Sequence, residues 1–310
     1  MNNKKIRIIG IIVMAVAVVF LVRRFLSFDV DFAELFSVKT LPGLILVTII
    51  IMGTLFIASL GWNIWLSFFT NHKVSLSATY SVYTRSNLAK YLPGNVGHYA
   101  MRQLYGTSLG ITQKELLFSS FLEVFCSALS AFVLSLVLAK GVFLSFMSDS
   151  LQRSWVAPVL AIVVAAIVIL VVVLIKKKKA LLLEALAYLK QKAFSISLLK
   201  VIGLLACNLA IFGLTLLLLI GPNAIGGTNA LLIVSAGIVS WFIGYITPGV
   251  PGGIGVREAV LLLMLSPILP EELVLYIAVV QRLAFIFSDV FSWVIGKAVH
   301  LKQGSDRAVV

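Results

Sequence analysis

Residues 247–258 read TPGVPGGIGVRE, from Thr247 to Glu258, and their reading decides the fold. Pro248, Pro251, Gly249, Gly252, Gly253 and Gly255 crowd into twelve positions. Proline lacks an N–H and glycine is conformationally loose, so no α-helix continues through such a run. Apolar stretches nevertheless lie on both sides of it, Ala230–Thr247 before and Leu273–Ile295 after. The chain therefore breaks its backbone between hydrophobic helices.

Composition supplies the setting for that break. The 310 residues are 61% hydrophobic and 12% charged, with a mean hydropathy of +1.09. A soluble domain carries about a quarter charged residues, so this chain lacks the charge to cover a water-facing surface, and intrinsic disorder is excluded for the same reason. The sequence describes an all-α polytopic membrane protein. At membrane depth a broken helix is tolerated only where protein or a water-filled cavity satisfies its backbone.

Spans follow from length, since a bilayer core needs about 20 apolar helical residues. Seven stretches qualify: Ile6–Val22, Leu41–Phe69, Glu115–Ala139, Trp155–Ile175, Leu199–Ile220, Ala230–Thr247 and Leu273–Ile295. The first continues past Ala15-Val16-Ala17, which favours an uncleaved anchor over a signal peptide. Lysine and arginine alternate in density between the loops. Residues 1–7, 70–114, 176–200 and 297–310 hold eighteen, whereas 23–39, 140–153 and 221–229 hold five. The positive-inside rule then places the first set, with both termini, in the cytoplasm.

A second break mirrors the first. Thr79–Arg102 reads TYSVYTRSNLAKYLPGNVGHYAMR and is interrupted at Pro93, Gly94 and Gly97. Pro93-Gly94-Asn95-Val96-Gly97 aligns with Pro251-Gly252-Gly253-Ile254-Gly255, at an offset of 158 residues in a chain of 310. Matching Gly/Pro interruptions in two halves point to a transporter-type binding site. The charge count brings the first broken element in from the cytoplasm and the second in from outside. The expected architecture is about six full transmembrane helices plus two re-entrant hairpins related as an inverted repeat, in one membrane domain over residues 1–310. Its halves are about 1–175 and 199–300. They are joined by a basic amphipathic interfacial segment, 176–198, that contains four consecutive lysines. Ala230–Thr247 is long enough to cross or to dip, and the sequence leaves both open.

Polar residues within apolar surroundings are the candidate site. Arg85, Asn87, Lys90, Asn95, His98 and Arg102 flank the first break, and Arg257 and Glu258 follow the second. Glu123 sits mid-span, while Arg282 and Asp289 lie seven apart on one face of the last span. Glu123, Arg282 and Asp289 read either as a brace between helices or as the lining of a polar path. Cationic side chains beside a helix N-terminus suit a phosphate, and arginine grips one bidentately. Tyr80, Tyr83, Tyr91, Tyr99, Tyr105, Trp62 and Trp65 read as interfacial belt residues, and Cys126 and Cys207 as small packing residues. No HExxH, CxxC, GxSxG or phosphate-loop pattern occurs, so no metal, cofactor or catalytic set is expected and the chain does not read as an enzyme.

KYLPGNVGHYAMR (Lys90–Arg102) followed by TPGVPGGIGVREAVL (Thr247–Leu261) resembles the flippase-like membrane domain of lysylphosphatidylglycerol synthases, across roughly residues 5–300. Arg282, within QRLAF, is similar to that family's arginine in the last helix. The resemblance implies a helical bundle that moves a polar lipid head group, with Asn87, Lys90, Pro93, Gly94, Gly97, Arg257, Glu258 and Arg282 at or shaping the site. Pro248, Pro251, Gly252, Gly253 and Gly255 complete the breaks. Two departures stand out. Val124 follows Glu123 where a basic residue is expected, and the chain ends at Val310 with no soluble aminoacyl-transferase domain, so it is not expected to make aminoacyl lipid.

The expected function is translocation of an anionic or phosphate-bearing lipid, such as an aminoacyl-phospholipid, a glycolipid or a polyprenyl-phosphate sugar. The setting is the cell membrane of a bacterium or archaeon. The alternatives are a non-transporting subunit that docks a lipid-modifying or glycosyltransferase enzyme, and a small-solute transporter. The basic residues sit in loops, which argues against nucleic acid as a partner. A homo-oligomer is compatible with every reading.

Overall fold

The computed structural model describes residues 41–92, 96–138, 187–221, 230–247 and 251–308. The spans at Ile6–Val22 and Trp155–Ile175, residues 176–186 of the basic segment 176–198, and Pro93, Gly94, Asn95 and Pro248 lie outside the described residues. Within them the chain is all-helical: α1 (Leu41–Phe69), α2 (Leu76–Asn87), a 3-10 turn (Leu88–Tyr91), α3 (Gly97–Gly106), α4 (Gln113–Leu138), α5 (Lys192–Ile220), α6 (Ala230–Ile246), a 3-10 turn (Pro251–Gly253), α7 (Val256–Leu265) and α8 (Glu271–Ala308). Among the described residues, α1, α4, α5 and α8 are long and apolar enough to cross a membrane. The protein is a multi-pass membrane protein.

The long helices carry their polar residues inward. On α4, Leu116, Ser119, Ser120, Glu123, Cys126, Ser127 and Ser130 are buried at helical spacing, while Phe121, Phe125, Phe132 and Val137 point out. Water would favour the reverse, but lipid covers apolar side chains at no cost and cannot satisfy polar ones. Buried hydroxyls bond back to their own helix, as Thr48 does to the Leu44 carbonyl at 2.7 Å and Ser135 to that of Ala131 at 2.7 Å.

Small residues let these helices approach closely. A Cβ on Gly213 of α5 would lie 2.6 Å from the Val234 carbonyl of α6, and one on Gly296 of α8 would strike the Thr84 hydroxyl of α2. The order of elements, a long helix, a broken pair and a second long helix, occurs twice. Packing crosses between the two sets: α2 lies on α8, α6 lies on α4, and α1 lies on α5. Gln113 and Glu271, the first residues of α4 and α8, are 158 positions apart, the spacing that separates Pro93 from Pro251.

Both breaks fall where proline and glycine place them. Leu92 is extended (φ −69°, ψ 149°) because a residue before proline is driven out of the helical region. A Cβ on Gly97 would collide with the Ala89 carbonyl oxygen, so the chain re-enters helix at a position that only glycine fits. In the second break Gly252, Gly253 and Gly255 take φ of 57°, 72° and 86°, and α7 starts with the Glu258 carboxylate accepting the Gly255 N–H at 2.6 Å.

Several bounds differ from the sequence expectation. The span set at Leu199 is helical from Lys192, because Phe194 is buried against Trp65 and draws the extra turns onto the bundle. The last span runs on past Ile295 to Ala308. The 17 described residues of α6 rise about 25 Å. Trp62 and Trp65 are fully buried and are not belt residues: Trp62 donates to the Ser119 hydroxyl at 3.1 Å, and Trp65 packs among Phe68, Phe69 and Phe194. Tyr83 and Tyr91 are also buried, drawn inward by the carboxylates their hydroxyls serve. Cys126 is buried as packing, whereas Cys207 faces outward.

Candidate functional site

The two breaks meet. Gly252 of the second lies against the Tyr91 ring of the first, close enough that a Cβ there would sit 3.0 Å from it. Beside this junction opens a cavity of about 90 Å³. Lys90 comes from the first 3-10 turn, His98, Tyr99 and Arg102 from α3, and Glu123 from α4. Asn208 from α5, Trp241 and Tyr245 from α6, and Arg257 from α7 complete its polar and aromatic wall.

Two ion pairs are built into the wall. The Asp289 carboxylate of α8 accepts from Asn87 Nδ2 at 2.6 Å, Lys90 Nζ at 2.7 Å and Tyr91 OH at 2.5 Å. All three donors stand on the N-terminal side of the first break, so Asp289 ties that break to α8. Glu123 accepts from Tyr83 OH at 2.7 Å and pairs with Arg102. The Arg102 guanidinium also lies 3.9 Å from the Tyr83 ring centroid and 5.2 Å from that of Trp62. Burying charges in lipid is costly, and pairing with full hydrogen bonding offsets the cost.

The remaining two cations are different. Arg282 donates from Nη1 to the Gly252 carbonyl at 2.9 Å, leaving Nε and Nη2 buried without a partner. Arg257 lies over the Phe285 ring at 4.8 Å with its Nε unpartnered. Among the described residues neither has a carboxylate within 4.0 Å, since the ion pairs there are Lys90–Asp289 and Arg102–Glu123. The left-handed glycines hold both cations at one turn. Gly252 abuts Arg282 and Gly253 abuts Arg257, each closely enough that a Cβ would sit about 3 Å from the guanidinium.

The sequence candidates therefore sort into groups. Asn87, Lys90, His98, Arg102, Glu123, Gly252 and Arg257 line the cavity. Arg282 and Asp289 stand behind that lining, joined to it by hydrogen bonds. Glu258 caps α7, and Arg85 lies over the Tyr105 ring at 4.4 Å, outside the cavity. Lys90 and Arg102, read from sequence as cations for a ligand, line the cavity while paired with Asp289 and Glu123. Val124 does not leave Glu123 without a cation, because Arg102 arrives from α3.

Sequence reasoning passed over Asn208, Trp241 and Tyr245. Asn208 is a lone amide in an apolar span, a signal that a search for charges misses. Trp241 and Tyr245 are four apart on the helix leading into the second break and stack at 4.7 Å. The Tyr245 hydroxyl meets that of Tyr99, joining α6 to α3.

A membrane bundle with two broken helical pairs meeting at a cation-bearing cavity defines the class of protein. The chain belongs to the family of the lysylphosphatidylglycerol synthase TM region, whose model matches residues 7–289. Comparison with curated proteins finds no significant match. Family membership makes this a membrane domain related to lipid handling.

Proposed function

We propose that the protein is a lipid translocase for a phosphate-bearing head group, with no catalytic chemistry of its own. One observation carries this reading: Arg257 and Arg282 are held at the junction of the breaks with no carboxylate at ion-pair distance among the described residues. A guanidinium left unpaired inside a membrane bundle is costly unless an anion visits it, and its planar fork matches phosphate. Irregular backbone around a cavity is the design by which transporters carry polar groups through a bilayer. The broken pairs act as re-entrant hairpins from opposite faces, and the crossed packing of α2 on α8 and α6 on α4 supports an inverted repeat. Both termini lie in the cytoplasm and the bundle sits in the cell membrane.

The test is head-group accessibility in proteoliposomes carrying phosphatidylglycerol labelled on an acyl chain. Arg257→Ala with Arg282→Ala is expected to abolish movement while the protein still elutes as a folded species and inserts. Unchanged movement in the double variant contradicts the path. A subunit that only docks an enzyme would move no lipid by itself, and a small-solute carrier would take up solute without lipid.

A further inference from the structure

Four cations and two carboxylates surround the cavity, and their pairing specifies a ligand charge. Asp289 is saturated by Asn87, Lys90 and Tyr91, and Glu123 by Tyr83 and Arg102. Glu258 is outside the lining, bonded to the Gly255 N–H. Among the described residues two cations remain outside any ion pair, Arg257, with Glu258 beside it in sequence, and Arg282. Three further buried atoms of the wall have no partner, the Asn208 Oδ1 acceptor, His98 Nδ1 and Arg102 Nε. The wall thus offers a phosphate two guanidinium groups, and offers a hydroxyl the uncharged Asn208 carbonyl. Among the described residues of the wall it presents an ammonium group with no unpaired carboxylate.

We infer that the cavity selects lipids whose phosphate carries an uncharged, hydroxyl-bearing group, glycerol or a sugar, over lipids bearing an added aminoacyl ammonium. This rests on the translocase reading above, and it departs from the aminoacyl lipid in the family's name. The physical reason is desolvation. Phosphate and hydroxyls exchange water for the guanidinium groups and Asn208. An aminoacyl ammonium would lose its water beside two like charges, a juxtaposition that opposes binding strongly.

The experiment compares acyl-labelled phosphatidylglycerol with its lysyl derivative in proteoliposomes of the full chain, and measures lipid retention by the purified protein with native mass spectrometry. Phosphatidylglycerol is expected to move at least about tenfold faster and to be retained preferentially, a ratio that a modest difference in binding produces. Asn208→Asp, which sets a carboxylate in the wall, is expected to raise the lysyl-to-glycerol rate ratio about tenfold, a shift that loss of folding would not produce. Equal or faster movement of the lysyl lipid, or an unchanged ratio in Asn208→Asp, overturns the inference. If no lipid moves, the translocase reading fails and retention decides: preference for phosphatidylglycerol keeps the head-group assignment and equal retention ends it. Radiolabelled glycerol 3-phosphate is the soluble source of the same chemistry, and its uptake without lipid movement contradicts the assignment to a lipid.

Discussion

Asp289 and Glu123 each gather donors from distant parts of the chain, and removing a partner from such a set exposes the cost of burying the remainder. Asp289→Asn leaves Lys90 buried without a counter-charge. A loss of about 3–5 kcal/mol is expected, read as a lowered melting temperature in detergent. Pairing Asp289→Leu with Lys90→Met should recover most of it, because no charge then stays behind. Equal losses in the single and double variants would show that the pair is not coupled. Asn87, Lys90 and Arg257 were legible in the sequence, since charge and amide groups stand out beside a Pro-Gly break, and Arg282 as a charge within an apolar span. Their partners were not. Asp289 lies 199 positions from Lys90, and no local pattern announces which cation it takes. Trp62 and Trp65 misled for a related reason: an aromatic near the end of a span looks the same whether it faces head groups or Ser119.

Helices in this bundle are held by close approach as well as by polar bonds. Gly296 of α8 sits against Thr84, and its carbonyl accepts the Ser81 hydroxyl at 2.8 Å. Gly296→Leu is therefore expected to push α2 from α8, costing about 1–3 kcal/mol or more and broadening the folded peak in size-exclusion chromatography. Gly203 of α5 has nothing within 4 Å of its Cβ position, so Gly203→Leu should elute as the unaltered protein does. Matching profiles for the two variants would contradict the packing. Helix α1, Leu41–Phe69, ends at Phe69 as the sequence expectation set it, because the apolar run stops there. The start of α5 did not, because the anchor that extends it, Phe194 on Trp65, is a tertiary contact. The breaks were legible because proline and glycine act on their own neighbours, as Leu92 and Gly255 show.

The described helices repeat one order twice, and the proposed orientation makes a prediction about access. With Cys126 and Cys207 replaced by alanine, His72→Cys between α1 and α2 should react with an impermeant maleimide from the cytoplasmic side alone. Glu272→Cys at the start of α8 should react from the outside alone. Labelling of both from one side would contradict the topology. The 158-residue offset between the breaks was legible in the sequence. The crossing of each broken pair onto the other set's long helix needed the fold, since it depends on how α2 meets α8 and α6 meets α4. That crossing brings the first break, at Tyr91, against Gly252 and the turn that holds Arg257 and Arg282 beside the cavity, and the account stands on what passes there. The most direct measurement is the rate at which acyl-labelled phosphatidylglycerol changes leaflet in vesicles holding the purified protein, against protein-free vesicles. The account predicts that inserted protein exposes inner-leaflet label that protein-free vesicles retain. Identical traces, with insertion verified, would contradict it.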